Sequence, residues 1–287
     1  MRTLKRTIWL LCICIPLGLH ANPMNDSIWV SADRPGAGTG SEVLNKGFIQ
    51  WETGFEVAHV PGAHQLTLPT TLFRFGLHKR IELRLEYGGI LAIDDHQENT
   101  TGPQDQPAYY APSPLHIGAK ILLWDHQGGS LEQKWIPRTA LLLNVGAPIT
   151  PTLARMMPVS GSVDLLFENE VTDWLSLGYN IGAHWDEWVP APDIFASLGL
   201  NFNPTDRLGL FIESYNIFDV AAIHPSTNTR YTRYDINLDF GLTYVVHPRV
   251  QLDAYAGFNL YHSDSSLSGP KNFAFVGFGV TWLIWHP

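Results

Sequence analysis

The chain contains little cysteine, little charge and no long apolar run beyond its first residues. Only 2 of its 287 residues are cysteines, and both lie near the N-terminus, at Cys12 and Cys14. Charged residues make up 16% of the chain, whereas an ordinary globular domain has about 25%. No later window holds the roughly eighteen consecutive apolar residues of a transmembrane helix, which excludes a helical membrane protein.

The start of the chain has the three parts of a secretory signal. Three basic residues precede a short apolar core at residues 8–19, and Ala21 ends a usable cleavage site. The core is too short to span a bilayer, so the sequence predicts a signal peptide over residues 1–21. Both cysteines would leave with this segment, which excludes disulfides and thiol chemistry from the mature protein.

The charge balance argues against nucleic acid as a partner. The formal net charge is −9, and residues 1–21 carry three basic residues and no acidic one. The mature chain therefore has a net charge of −12, since those three positive charges are removed from −9. A chain this acidic repels a polyanion, and we expect no nucleic-acid binding.

What the chain does contain is strict alternation, which is clearest at residues 80–94. Every second residue from 80 to 86 is charged, and the residues between them are Ile81, Leu83 and Leu85. A period of two predicts a β-strand with one apolar and one charged face. An apolar face toward lipid and a charged face toward an enclosed lumen are typical of a transmembrane β-barrel strand.

The same pattern recurs along the rest of the chain and predicts an all-β fold. We expect an irregular segment at residues 22–47, followed by a barrel over residues 48–287. The predicted strands are 48–58, 67–77, 81–92, 115–124, 136–146, 162–171, 174–185, 193–202, 207–218, 233–244, 249–261 and 273–285. Their number and length predict an antiparallel transmembrane β-barrel of twelve strands.

The lengths of the connections separate this barrel from a soluble periplasmic β-protein. Tight connections at 78–80, 172–173, 203–206 and 245–248 alternate with long ones at 93–114, 147–161, 219–232 and 262–272. Two connections depart from this alternation, since 125–135 is long on the short-turn side and 60–66 is short on the long-loop side. Bacterial outer-membrane barrels have short periplasmic turns and long outer loops, whereas a sandwich has no reason to alternate. We therefore expect the chain in the bacterial outer membrane, in contact with its lipid.

Aromatic residues mark the ends of the predicted strands. Trp51, Trp124, Trp135, Trp174, Trp282 and Trp285 would lie near the periplasmic rim, and Trp185 and Trp188 near the outer rim. Tryptophan prefers such interfaces. The aromatic last strand also predicts the barrel assembly machinery as a partner.

On the first strands, the alternate residues that face the predicted lumen include many charged side chains. A three-residue turn at 78–80 would place Arg74 opposite Arg84, and two facing guanidinium groups need carboxylates between them. The predicted lumen charge network is Glu52, Glu56, Arg74, Glu82, Arg84, Glu86 and Lys120. It could act as a constriction that filters solutes, or as a structural network that fills and stiffens the barrel.

Other possible sites have weaker support. Gly36, Gly38 and Gly40 lack the strand–helix context of a phosphate loop. Carboxylates two residues apart, such as Glu168 and Glu170, lie on the same face of a strand because of its period of two, and this alone does not indicate a catalytic pair.

The histidines are scattered in or beside predicted loops, and only His59 and His64, across one loop, have metal-ligand spacing. Solvated loop histidines are the default interpretation. We expect no cofactor, no metal and no catalytic residue.

Several segments in a fixed order resemble one known family. They are Asp33-Arg34-Pro35, KGFIQWETGFE (46–56), LFRFGL (72–77), IELRLEYG (81–88), LHIGAKILL (115–123), LLLNVGAP (141–148), LSLGYNIG (175–182), FIESYNIF (211–218), FGLTYVVHPRVQLDAYAGF (240–258) and VGFGVTW (276–282). This order resembles the outer-membrane "putative MetA-pathway of phenol degradation" family over nearly the whole mature chain. The resemblance implies a transporter-like β-barrel and no catalytic residues.

These observations favour passive passage of small, hydrophobic or aromatic organic solutes through a channel. Two other classes stay open at this point. One is a non-conducting structural or surface-binding barrel, and the other is a lipid enzyme at the barrel rim, which would need an activated Ser or His there.

The fractionation of the mature protein tests the predicted location. We expect it in the outer-membrane fraction, with a gel mobility that changes on heating because a folded barrel resists detergent. Recovery as a soluble periplasmic protein would contradict the barrel.

Overall fold

The computed structural model describes residues 30–60, 63–94, 108–125, 135–147, 149, 160–185, 192–223, 229–263 and 273–287. The predicted signal peptide lies outside these residues. Within the described ranges, none of the chain forms a helix long and apolar enough to cross a membrane.

The described chain consists of thirteen strand segments. They are β1 Ile49–Val60, β2 Ala63–His78, β3 Ile81–Asp94, β4 Ala108–Pro112, β5 Leu115–Trp124, β6 Arg138–Ala147, β7 Ser160–Thr172, β8 Leu175–Trp185, β9 Asp193–Phe202, β10 Leu208–Ile223, β11 Arg230–His247, β12 Val250–His262 and β13 Ala274–Trp285.

The segments form one closed antiparallel sheet. Neighbouring strands in the chain pair with each other, and β1 pairs with β13 to close the barrel. Both β4 and β5 pair with β3, β4 along its outer part and β5 along its inner part. They are two pieces of one barrel strand, interrupted at Ser113 and Pro114, and proline has no N–H to give to a sheet ladder.

The twelve-strand antiparallel barrel predicted from the alternation is thereby confirmed. Strand β4 was not predicted, because its five residues lie inside the stretch assigned to a loop. The strands β2, β10 and β11 are longer than predicted, at 16, 16 and 18 residues. A tilted strand needs only about 9–11 residues to cross a membrane, so these three extend past it.

The two faces of the wall have opposite chemistry. The side chains turned outward are apolar and exposed, as at Leu83, Ile117 and Leu198. Those turned inward are polar or charged and mostly buried, as at Gln50 and Glu82. This arrangement is the reverse of a soluble domain and leaves an apolar surface for lipid.

Exposed tryptophans lie at the strand ends, as predicted for the two interfaces. Trp124, Trp135, Trp174, Trp282 and Trp285 are at the end that holds the short turns, and Trp185 is at the other. Trp51 is only partly exposed, and Trp188 lies outside the described residues. We call the short-turn end the periplasmic end.

The segment before β1 lies inside the lumen. It enters at the periplasmic end, where the Val30 N–H donates to the Pro248 carbonyl (3.1 Å). It returns to the same end, where the Gly47 N–H donates to the Gly76 carbonyl (2.7 Å). The sequence left open whether this segment lies outside or inside the barrel mouth, and residues 30–47 lie inside the lumen.

A charge on the lipid face tests the assignment of the two faces. Leu198 lies in the middle of β9 and is 55% exposed, so Leu198→Arg should lower the free energy of unfolding by about 2–4 kcal/mol. Leu77→Arg, one residue before the end of β2, should cost only about 0–1 kcal/mol. Unfolding in urea with lipid vesicles measures both costs. Equal costs would mean that the lipid face or the membrane depth of these two residues is assigned wrongly.

Candidate functional site

Three cationic side chains meet inside the barrel. Arg74 of β2 lies opposite Arg84 of β3 in the register that parity predicted, and Glu82 lies opposite Lys120 of β5. Arg74 and Lys120 are fully buried, and Arg84 is nearly so. Buried cations require partners, because removing a charge from water costs several kcal/mol.

Two carboxylates from the strands supply part of that pairing. Arg74 donates to both oxygens of Glu82 at 2.8 Å, in a bidentate pair, and to Oε1 of Glu52 at 2.8 Å. Arg84 donates to Glu82 at 3.1 Å. The cluster on the wall therefore has three positive and two negative charges.

The third carboxylate comes from the lumen segment. Lys120 Nζ lies 2.8 Å from both oxygens of Asp33, Arg84 donates to Asp33 Oδ2, and Arg74 Nε lies 3.6 Å from it. The Asp33 N–H in turn donates to Glu52 (3.2 Å). Asp33 thus completes an electrically neutral buried cluster.

The surroundings of Asp33 determine its protonation. Burial alone would raise the pKa of this carboxyl, but Arg74, Lys120 and Arg84 together hold the pKa well below its usual value. Because the pKa is lower in the folded than in the unfolded state, the contact stabilises the protein above about pH 4. That stabilisation is lost as the pH falls through the folded pKa.

Arg34 attaches the segment to a second part of the wall, on strand β12. Its Nε and Nη2 donate to the two oxygens of Asp253, both at 3.3 Å, and its guanidinium lies 5.7 Å from the centre of the Tyr255 ring. The guanidinium lies over the paired residues Gly54 and Gly279. A Cβ atom at those two glycines would stand 2.1 and 2.5 Å from Arg34 atoms. Glycine at both positions therefore leaves the space that the Arg34 side chain occupies.

The backbone of the segment is held by polar side chains of the wall. Ala37 and Gly38 donate their N–H groups to Glu213 at 2.9 and 3.0 Å. Thr39 donates its N–H to Asn180 (3.1 Å) and accepts from the Asn180 amide (2.9 Å). Further contacts join Ser41 to Glu168, Leu44 N–H to Glu82, and Lys120 to the carbonyls of Gly40 and Glu42.

Residues 33–41, which we call the arch, separate two cavities. The outer cavity has about 540 Å³ and reaches the strand ends near Ser160 and Trp185. The inner cavity has about 260 Å³ and lies toward the periplasmic end. Thr39 and Asn180 line both, so the arch is the partition between them.

The predicted network is only partly brought together. Glu52, Arg74, Glu82, Arg84 and Lys120 form the cluster around Asp33. Glu56 lies elsewhere and accepts a hydrogen bond from the Tyr255 hydroxyl (3.0 Å), and Glu86 lines the outer cavity. The functional role of the network stays a prediction.

Sequence reasoning missed Asp33 and Arg34 as members of the site. Two signals pointed to them: the three lumen cations on β2, β3 and β5, and the position of Asp33-Arg34-Pro35 at the start of the resemblance. Neither signal indicates where an irregular segment lies.

Two of the loop histidines come together away from the arch. His59 and His64 approach to 3.4 Å between their Nδ1 atoms at the outer rim. In the described part of the chain, no group of three or more His, Cys, Asp or Glu side chains is arranged to hold a metal.

Comparison with known proteins agrees with this architecture. The family model described as "Putative MetA-pathway of phenol degradation" matches residues 32–274. The COG4313 outer membrane channel from Pseudomonas putida F1 is 12% identical, with 87% of this chain and 98% of that chain covered and a TM-score of 0.61. The NanC porin is 7% identical, with 81% and 98% covered and a TM-score of 0.51. At these identities the likeness concerns the fold, and no curated protein matches the chain.

A double-mutant cycle on Arg74→Met and Glu82→Gln tests the buried network. Each single change leaves a buried partner charge and should cost about 3–5 kcal/mol, while the double variant should cost less than the sum by about 1–3 kcal/mol. Urea unfolding of the refolded barrel measures the free energy of unfolding of the wild type, the two single variants and the double variant.

The control cycle uses Arg138 and Glu170, whose atoms lie 3.2 Å apart with Glu170 mostly exposed. Its coupling should not exceed about 1 kcal/mol, because water screens an exposed pair. Additive effects at Arg74 and Glu82 would show that the network does not exist.

Proposed function

Because the chain belongs to the outer-membrane family described as "Putative MetA-pathway of phenol degradation", we propose that its barrel is a channel for small organic solutes. The arch at residues 33–41 closes the lumen, and passage requires this arch to move. The protein acts by passing solute and not by catalysis.

The observation that carries the proposal is the position of the arch between two cavities, held by side chains. Among the described residues, the backbone bonds from the segment to the barrel are at its two ends, near Val30 and Gly47. The contacts between them are made by wall side chains such as Glu213 and Asn180. Breaking those contacts leaves the strand ladders intact, so the segment can open without unfolding the barrel.

The lining of the outer cavity suits a small molecule with an apolar body and a polar group. Leu142, Leu166 and Phe195 face the lumen here, and the His184 ring stacks on Phe195 with 5.0 Å between centroids. Asp164 and Asn144 add polar atoms on the same wall. Mixed apolar and polar linings of this size are typical of small-molecule sites.

Two serine–histidine arrangements lie along this wall, and neither contains a complete catalytic triad among the described residues. The Ser162 hydroxyl donates to Asp164 (2.9 Å), and His184 contacts the other oxygen of the same carboxylate (2.6 Å). A serine nucleophile needs its hydroxyl against a histidine base. At Ser162 the carboxylate of Asp164 lies between the serine and the histidine. At Ser160 the hydroxyl lies 3.1 Å from His116 Nε2, and within the described residues no carboxylate is hydrogen-bonded to that histidine.

Channel recordings on Gly38→Val test the gate. A Cβ atom at Gly38 would stand 2.2–2.7 Å from side-chain atoms of Glu213, Asn180 and Ser197, and Glu213 would have to release the backbone it holds. Crowding of this kind costs about 1–3 kcal/mol, so we expect the open fraction in planar bilayers to rise about tenfold.

Gly40→Val is the matched control in the same arch. Its nearest neighbour is Asp33 at an ordinary 3.6 Å, so wild-type conductance should be kept. Equal recordings for wild type and both variants, with correctly folded barrels, would refute a gate formed by the arch.

A further inference from the structure

We propose that Arg74, Arg84 and Lys120 form a binding site for one organic carboxylate, and that Asp33 fills this site in the closed state as an internal ligand. The binding site stands on the geometry alone. Its use by a passing solute rests on the proposed function.

The charge balance requires one more anion than the wall provides. The three cations face only Glu52 and Glu82 on the strands, which leaves one uncompensated positive charge in a buried place. Asp33 supplies the missing charge, but it belongs to the segment that the strand ladder does not hold. When the arch moves away from the cluster and takes Asp33 with it, a single negative charge from another molecule is needed to neutralise the three cations.

The contacts fit the two oxygens of a carboxylate. Lys120 Nζ lies 2.8 Å from each Asp33 oxygen, and Arg84 and Arg74 approach the same Oδ2. Charge-assisted donors in this fork favour a planar anion with two oxygens. A neutral solute would leave the cluster positive, and a dianion would leave it negative.

The site lies on the route between the cavities. Arg84 lines the outer cavity, and Asp33 lines the inner one. A carboxylate that arrives from the outer cavity reaches Arg84 first and competes with Asp33 for it. Because both cannot occupy the site, binding of the solute favours release of the arch, and release favours binding. Glu86 and Asp164 on the same cavity repel solutes with several negative charges.

The test uses Asp33→Ala, which empties the site of its internal carboxylate. We expect sodium acetate to raise the unfolding midpoint of this variant in detergent saturably, while acetamide and sodium chloride at equal concentration do not. Calorimetric titration should give at least tenfold tighter acetate binding than in wild type, where Asp33 competes. Glu42→Ala is the matched control, because its side chain is exposed on the same segment, and acetate should not affect it.

A second variant separates the site from a general effect of salt. Asp33→Ala with Lys120→Met removes one charge of each sign, so the cluster stays balanced, and acetate binding should fall at least tenfold. If Asp33→Ala does not fold alone, its refolding yield with acetate, compared with acetamide, becomes the measurement. Acetate no better than acetamide or chloride would overturn the site. Neither measurement involves flux, so a failed channel recording leaves this result unaffected.

Discussion

The structure depends on one carboxylate balancing a buried group of cations. Arg74, Arg84 and Lys120 lie inside the wall with too few strand carboxylates to neutralise them, and Asp33 provides the remaining charge. Unpaired buried charges are among the most expensive features that a protein can contain. The position of residues 30–47 in the lumen follows from this requirement, since the charge that the wall needs is on a segment outside the wall.

The barrel and the lumen segment are held by different forces. The strands are joined by backbone ladders, and the β1–β13 pair closes the sheet into a barrel. The segment is held by ion pairs and by hydrogen bonds from side chains. Asp33 binds the cations of β2, β3 and β5, and Arg34 binds Asp253 of β12. Such contacts can break individually while the ladders stay intact. A stable wall and a separately held segment are what a gated channel requires.

The fold could be predicted from the sequence, because each strand crosses between lipid and lumen and so repeats its chemistry every two residues. The register that brings Arg74 opposite Arg84 follows from the same parity. Strand β4 was not predicted because its five residues, Ala108–Pro112, are too few to show a period of two. The contact of Asp33 with Lys120 escaped because the two are 87 residues apart and segment 30–47 has no period to place it. The partner of Glu56 is Tyr255, on a strand far along the chain, which parity alone cannot select.

Hydrogen exchange at residues 30–47 tests most directly whether Asp33 holds this segment in the lumen. In the folded wild-type barrel, the amides of Ala37, Gly38 and Thr39 donate to wall side chains, so they should exchange far more slowly than in an unfolded chain. In Asp33→Asn these amides should exchange faster, while peptides from the strands keep their wild-type protection. Exchange of residues 30–47 at the unfolded-chain rate in wild type would contradict the account.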